Sequence, residues 1–363
     1  MAKTKKLVNL GLQGGGSHGA FTWGVLDRLL ADGRVVIEAV TGASAGAMNA
    51  VVLAQGLANN SHDEARETLR HFWTKVSEVA ARSPLGIASG LTMAGFWGLS
   101  GSPIYTMLDL TSRLVSPYQT NPFNLNPLRG ILGGMIDFEK VRANSCLDLF
   151  ISATNVETGR ARVFRKPELT VDHLLASACL PNIFQAVVID GTPYWDGGYM
   201  GNPPLWPLFE AARSDDVVIV QINPFFRKGA PRDAADISDR MTEIGFNSSL
   251  MSELRAIDFV SRLIEDGRLE ETGYRRVLVH MIGDEKTLVP LGASSKFNTS
   301  RPFLDMLFKA GEAAAEKWLA CHFDDIGQRS TLDLRTIFQG EEHALDGQHL
   351  RPKQKRKKPA ASA

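Results

Sequence analysis

Thr41-Gly42-Ala43-Ser44-Ala45-Gly46-Ala47 sets a serine between two glycines, where an apolar stretch gives way to one with helical composition. Arg34 to Val40 is β-branched enough to predict a buried strand, and Ala45 to Gln55 is rich in Ala, Met and Leu, as a buried helix would be. A G-x-S-x-G at such a junction has the form of a nucleophile elbow. The chain reverses so sharply that the serine is held in a strained conformation, and side chains at Gly42 or Gly46 would collide with the adjoining strand and helix. The turn lifts the hydroxyl to the rim of a sheet and aims a helix N-terminus at it, where partial positive charge stabilises a developing oxyanion. The same residues also suit a small-residue turn without chemistry, so the rest of the chain has to decide.

Upstream, Leu7-Val8-Asn9-Leu10-Gly11-Leu12 reads as a strand that runs into Gln13-Gly14-Gly15-Gly16-Ser17-His18-Gly19. A helix follows from about Ala20 to Ala31, with Phe21, Val25, Leu26 and Leu29 on one face. Strand, glycine loop, helix and strand make a βαβ unit, which favours a parallel sheet covered by helices. Successive glycines let backbone N–H groups turn the same way and be approached closely, as both a phosphate cradle and an oxyanion hole require. The spacing also satisfies G-x-G-x-x-G, with Glu38 about where a ribose-binding acid would stand in a dinucleotide-binding fold. That nicotinamide reading leaves the Ser44 turn unemployed, whereas an esterase uses both loops, each at the same edge of the sheet.

Downstream, Ser61 to Leu85 has the apolar spacing of an outer amphipathic helix. Residues 83–136 scatter prolines, Pro103, Pro117, Pro122 and Pro127 among them, between aromatic and aliphatic residues. They read as an irregular helical insertion over the rim, serving either as a lid on an apolar channel or as a second layer of core. Strands are predicted over 147–154, 160–165, 216–222 and 275–282, with Val187-Val188-Ile189 ahead of a turn at Asp190-Gly191, a short helix over 171–179, a long one over 237–264 and a last one over 303–319. Tyr194-Trp195-Asp196-Gly197-Gly198-Tyr199 places an acid before two glycines. The expected organisation is a catalytic domain over 7–225, an extension over 226–338 packed on it, and a disordered basic tail over 339–363.

The chain has 40 basic and 40 acidic residues, so its overall balance names neither nucleic acid nor membrane as a partner. Residues 351–358 hold six basic residues and no acid, leaving 34 basic against 40 acidic elsewhere. Such a block is a solvated tail or an electrostatic attachment to an anionic bilayer; nucleic acid is not expected. No cleavable leader and no window of 18 apolar residues is evident, which predicts a cytoplasmic protein, peripheral at most at the inner membrane face. Cys146, Cys179 and Cys321, an odd number without C-x-x-C spacing and each in apolar company, read as reduced core residues.

The two glycine turns and the late Asp-Gly-Gly together resemble the patatin-like phospholipases over about residues 7–225. The spacings, 30 residues from Gly14 to Ser44 and 152 from Ser44 to Asp196, fit the same pattern. Ala176-Ser177-Ala178-Cys179-Leu180-Pro181 is similar to the family as well. The resemblance implies an α/β fold with a central, mostly parallel sheet flanked by helices. It implies Ser44 as nucleophile, Asp196 as its base, Gly14, Gly15 and Gly16 as the oxyanion hole, and Gly19, Gly42, Gly46, Gly197 and Gly198 as motif supports. It implies a lipid ester as substrate and needs neither cofactor nor metal. Two positions depart from the family loop, Gln13 where an aspartate is usual and His18 where an arginine or lysine is usual. The second removes a fixed positive charge from the anion site; His18 is either a pH-dependent substitute or a polar helix-start residue. Rival readings are a Ser-Asp-His α/β-hydrolase using His280 or His322, a polyester depolymerase or thioesterase, a nicotinamide oxidoreductase, and a non-catalytic lipid-binding protein. The α/β-hydrolase is discounted because its serine usually comes later than the second strand.

Overall fold

The computed structural model describes residues 4–59, 61–82, 115–269 and 274–339. Their strands are β1 (Lys6–Leu12), β2 (Val35–Ala43), β3 (Asp148–Asn155), β4 (Ala161–Arg165), β5 (Val187–Ile189), β6 (Thr192–Asp196), β7 (Asp216–Val220) and β8 (Leu278–Ile282). They join in one sheet ordered β5-β6-β3-β2-β1-β7-β8, with β4 on β3 as well. The pairings β3–β2, β2–β1, β1–β7 and β7–β8 are parallel, and β4, β5 and β6 add antiparallel pairings at one end.

Alternation along β7 shows why the sheet needs cover on both sides: Val218 and Val220 enter one core and Val217 and Ile219 the other. The first core is closed by α1 (Gly19–Asp32), α2 (Ala45–Gly56), α3 (His62–Ala81), α4 (Val171–Ser177) and α6 (Arg301–His322). The second lies under α5 (Ala234–Glu265) and the short helices Trp206–Ala211 and Leu334–Gln339. Helix α2 is apolar on all sides and buried throughout except near Gln55, whereas α3 is charged on its outer face and begins with the Ser61 hydroxyl accepting the Glu64 N–H. Gly33, at φ 71°, ends α1 in the left-handed conformation and returns its N–H to the Leu29 carbonyl.

The expected α/β architecture is therefore present, and several details differ. Strand β2 runs three residues beyond Val40, because Thr41, Gly42 and Ala43 keep their rungs with Gly11, Leu12 and Ser152. The last strand begins only at Leu278, the first residue to pair with β7. Cys146 and Cys321 are exposed and Cys179 alone of the three is buried, so apolar neighbours in sequence were a poor guide to their depth. Residues 83–114 and 340–363, and with them most of the expected insertion and the basic tail, lie outside the described residues. From 115–136, the helix Pro127–Met135 sends Ile131 and Leu132 into the first core. The sheet continues past residue 225, since β8 is one of its strands and α6 packs on α1.

Candidate active site

Strand β3 brings the two ends of the motif together. One edge is taken by β4 from Phe150 to Thr154. The other is shared end to end, by parallel β2 along Asp148–Ser152 and by antiparallel β6 along Ala153–Asn155. Ala43 therefore stands opposite Ser152, and Asp196 opposite Ala153, the next rung. The strands carrying Ser44 and Asp196 meet head-on, about 3.3 Å apart along β3.

Each chain must leave that meeting point at once, and glycines make this possible. Ser44 has φ 52° and ψ −121°, a conformation that L side chains rarely adopt. A Cβ on Gly46 would lie 2.1 Å from the Leu12 carbonyl oxygen, one on Gly42 2.7 Å from the Gly46 carbonyl carbon, and one on Gly197 2.1 Å from the Ser152 carbonyl oxygen. The Ser44 N–H donates to Ser177 Oγ at 3.0 Å, so the end of α4 holds the elbow from behind. Neither Ser177 nor this role was visible beyond the similarity of the stretch around it.

Asp196 is fully buried. Its Oδ1 accepts the Gly198 N–H at 2.7 Å, and Oδ2 has no well-formed hydrogen bond among the described residues. Burial pushes the carboxyl up to about 6, against the opposing pull of the Gly198 N–H, the neighbouring Ser44 hydroxyl and the Lys296 charge. The Ser44 hydroxyl acts on the carboxyl, yet no full hydrogen bond joins the two side chains.

The glycine loop lies across from Ser44: a Cβ on Gly14 would be 2.7 Å from Ser44 Cβ, and one on Gly19 2.8 Å from Ala45 Cβ. Asn202 and Asn223 hold the loop. The Gly14 N–H donates to Asn202 Oδ1 at 2.6 Å, and the Asn223 amide donates to the Gly14 carbonyl at 2.7 Å. Gly14 therefore spends its amide on the scaffold, whereas the N–H groups of Gly15 and Gly16 make no hydrogen bond among the described residues. Gln13 is also a brace: buried, it accepts the backbone N–H groups of Ile222 and Asn223, each at 2.9 Å, and reaches Asn247 of α5 at 3.3 Å.

His18 is not a cation here. Its Nε2 lies 2.7 Å from Ser295 Oγ, Nδ1 has no well-formed hydrogen bond among the described residues, and burial with the nearby Lys296 charge pulls its pKa down to about 3, against the pull of the Ile222 backbone. The helix-start reading of His18 is the one the geometry supports. The cation beside the loop comes from Lys296, 278 positions further along the chain. No sequence pattern marked it.

The rival residues sit elsewhere. Glu38 accepts the N–H groups of Arg213 and Ser214, just ahead of β7 and so at the end of the sheet opposite the glycine loop. It is not free for a ribose. His280, paired with Asp216 at 2.9 Å and Thr331 at 3.1 Å, lies on β8, three strands away from β2, about 14 Å at the usual spacing. His322 bonds Asp325 at 3.1 Å, beside the carbonyls that bind Lys6 at the start of β1, again the far end. Among the described residues no group of three or more His, Cys, Asp or Glu is arranged to hold a metal ion.

The fold thus brings the Ser44 turn, the glycine loop and the buried Asp196 to the C-terminal rim of the parallel strands. The patatin-like phospholipase model matches residues 10–209, and the chain belongs to that family. No curated protein matches it in sequence. Among solved structures it is similar to VipD from Legionella pneumophila, at 14% identity and a TM-score of 0.41 over 88% of this chain and 67% of that one. It is also similar to the type III effector ExoU, at 15% identity and a TM-score of 0.35 over 88% of this chain and 53% of that one. ExoU bound to SpcU, from the type III secretion system of Pseudomonas aeruginosa, matches at 16% identity and a TM-score of 0.32, over 87% and 53%. This chain thus spans about half the length of ExoU.

Proposed function

We propose that the protein hydrolyses carboxylic esters of lipids through a Ser44–Asp196 dyad. The observation that carries this reading is the head-on meeting of β2 and β6 on one edge of β3, which brings a strained serine to a buried aspartate whose Oδ2 has no well-formed hydrogen bond among the described residues. As Ser44 Oγ attacks the ester carbonyl, its proton passes to Asp196 Oδ2. The new oxyanion is met by the N–H groups of Gly15 and Gly16, each worth roughly 3 kcal/mol by analogy with other oxyanion donors. Collapse breaks the bond to the alcohol, which leaves with the proton from Asp196, and Ser44 is acylated. A water then gives its proton to Asp196, adds to the acyl carbon, and releases the acid as the proton returns to Ser44. The dyad needs no metal or organic cofactor.

Lipid is the substrate class favoured by family membership and by the apolar side chains next to these residues in the chain: Tyr199 and Met200 after the aspartate turn and Phe297 after Lys296 are all exposed. The test is turnover of a nitrophenyl ester series of increasing chain length by the wild-type protein and by Ser44→Ala. Turnover should rise with chain length and fall by at least about a thousandfold in the variant. A folded Ser44→Ala protein with wild-type turnover would overturn the reading.

A further inference from the structure

Beside the dyad, the loop and its asparagine braces stands one charged side chain, whose charge also acts on Asp196. Lys296 lies in the 3-10 turn Ala293–Phe297, just ahead of α6. Its backbone closes on the glycine loop, with the carbonyl oxygen 2.4 Å from where a Gly16 Cβ would stand. Its ammonium donates to Asn223 Oδ1 at 2.8 Å, on the residue that also holds the Gly14 carbonyl. On the other side the same ammonium is 6.0 Å from the centre of the Phe246 ring, which covers Gly198 so closely that a Cβ there would be 2.3 Å from it. Lys296 therefore stands between the loop proposed to receive the oxyanion and the turn that carries Asp196.

No acid among the described residues pairs with it directly. Lys296 forms no ion pair among the described residues, and Glu243, an acid that acts on it from α5, is held by Arg227 at 2.6 Å and Arg240 at 3.3 Å. Asp239 and Asp196 act on it too, and the Arg227 charge opposes them. One of the three ammonium donors is used, on a neutral amide. Burial pulls its pKa down from the ordinary lysine range, the mark of a cation partly stripped of water, although the residue as a whole is only partly buried. A cation held in this way is costly unless an anion completes it. His18, neutral and bonded to Ser295, cannot supply that charge.

The geometry points to Lys296 as the residue that recognises the anionic group of the substrate, a phosphate on the alcohol side of the scissile ester. This rests on the Ser44–Asp196 reading. In a glycerophospholipid the phosphate is only a few covalent bonds from the ester carbonyl. With that carbonyl at Ser44 and its oxygen at Gly15 and Gly16, the phosphate oxygens come to the two free donors of Lys296. A neutral acylglycerol gains nothing there.

The experiment compares the wild-type protein, Lys296→Met and Lys296→Arg on a lysophospholipid and a monoacylglycerol of the same acyl chain in the same detergent micelles. The ratio of the two kcat/KM values, lysophospholipid over monoacylglycerol, should fall by roughly tenfold or more in Lys296→Met, through KM on the phospholipid, and should recover in Lys296→Arg. An unchanged ratio overturns the proposal, whether both substrates lose activity together or neither does. A wild-type protein that cleaves the monoacylglycerol alone overturns it as well, while leaving the hydrolase reading intact. Binding of glycerophosphocholine, followed by calorimetry on the full chain, decides Lys296 apart from turnover: the wild type should bind more tightly than Lys296→Met, and equal affinity refutes the assignment.

Discussion

Asp196 has to be buried and charged at once, and the two demands conflict. Burial raises its pKa to about 6 from an ordinary 3.8, so the folded protein holds this proton more tightly than the unfolded chain and frees the carboxylate for use as a base only above about pH 6. The sign of both consequences follows. Activity should be low at acid pH and climb as pH rises through about 6, with a unit slope in log kcat/KM below that value. Stability runs the other way: the carboxyl costs nothing below the unfolded-state pKa near 3.8, and its ionisation costs up to about 3 kcal/mol once pH exceeds the folded value. Asp196→Asn keeps an oxygen for the Gly198 N–H and carries no charge. It should be nearly inactive, yet more stable than the wild type in urea at pH 8, with the advantage vanishing near pH 4. A variant less stable than the wild type at pH 8 would show that burial is not what loads this carboxyl.

Between elements, α1 and α6 cross with their backbones in close approach. A Cβ on Gly24 would lie 2.0 Å from the Phe308 carbonyl oxygen, and one on Gly311 2.0 Å from the Phe21 carbonyl oxygen, so each helix has given up a side chain where the other's backbone passes. The crossing matters to the site because α1 begins at the glycine loop and α6 follows the turn with Lys296. Gly311→Ala should cost about 1–3 kcal/mol or more, read as a lower urea midpoint, because the obstacle is backbone and cannot rotate away. Gly130, in the helix Pro127–Met135, has open space around it. Gly130→Ala should therefore stabilise the protein by up to about 1 kcal/mol, through helix propensity alone. Equal effects of the two substitutions would refute the crossing.

For the whole molecule, charge is divided along the chain. The block at 351–358, outside the described residues, carries six basic residues, and the remainder has six more acids than bases. None of the described helices is long and apolar enough to cross a membrane. An anionic bilayer would attract such a tail by about 1 kcal/mol per basic residue near the surface, less at high salt. Deleting residues 351–363 should leave hydrolysis of a water-soluble ester unchanged and weaken binding to anionic vesicles in low salt. Equal binding by both proteins would remove the tail from any membrane role. The order of strands and helices, the elbow at Ser44, the glycine loop and the Asp196 turn were legible because each rests on a short-range requirement. A residue either tolerates a sharp reversal or a close backbone approach or it does not, and only glycine does at Gly42, Gly46 and Gly197. Cys146 and Cys321, the true start of the last strand and the braces at Asn202, Asn223 and Ser177 were not legible, since burial and polar pairing depend on what distant segments bring alongside. Above all, the sequence names Ser44 and Asp196 without bringing them together. Their meeting was decided by β3, which offers one edge to two strands in consecutive registers, and the charge beside them by Lys296, from a turn whose position only the packed sheet and helices determine.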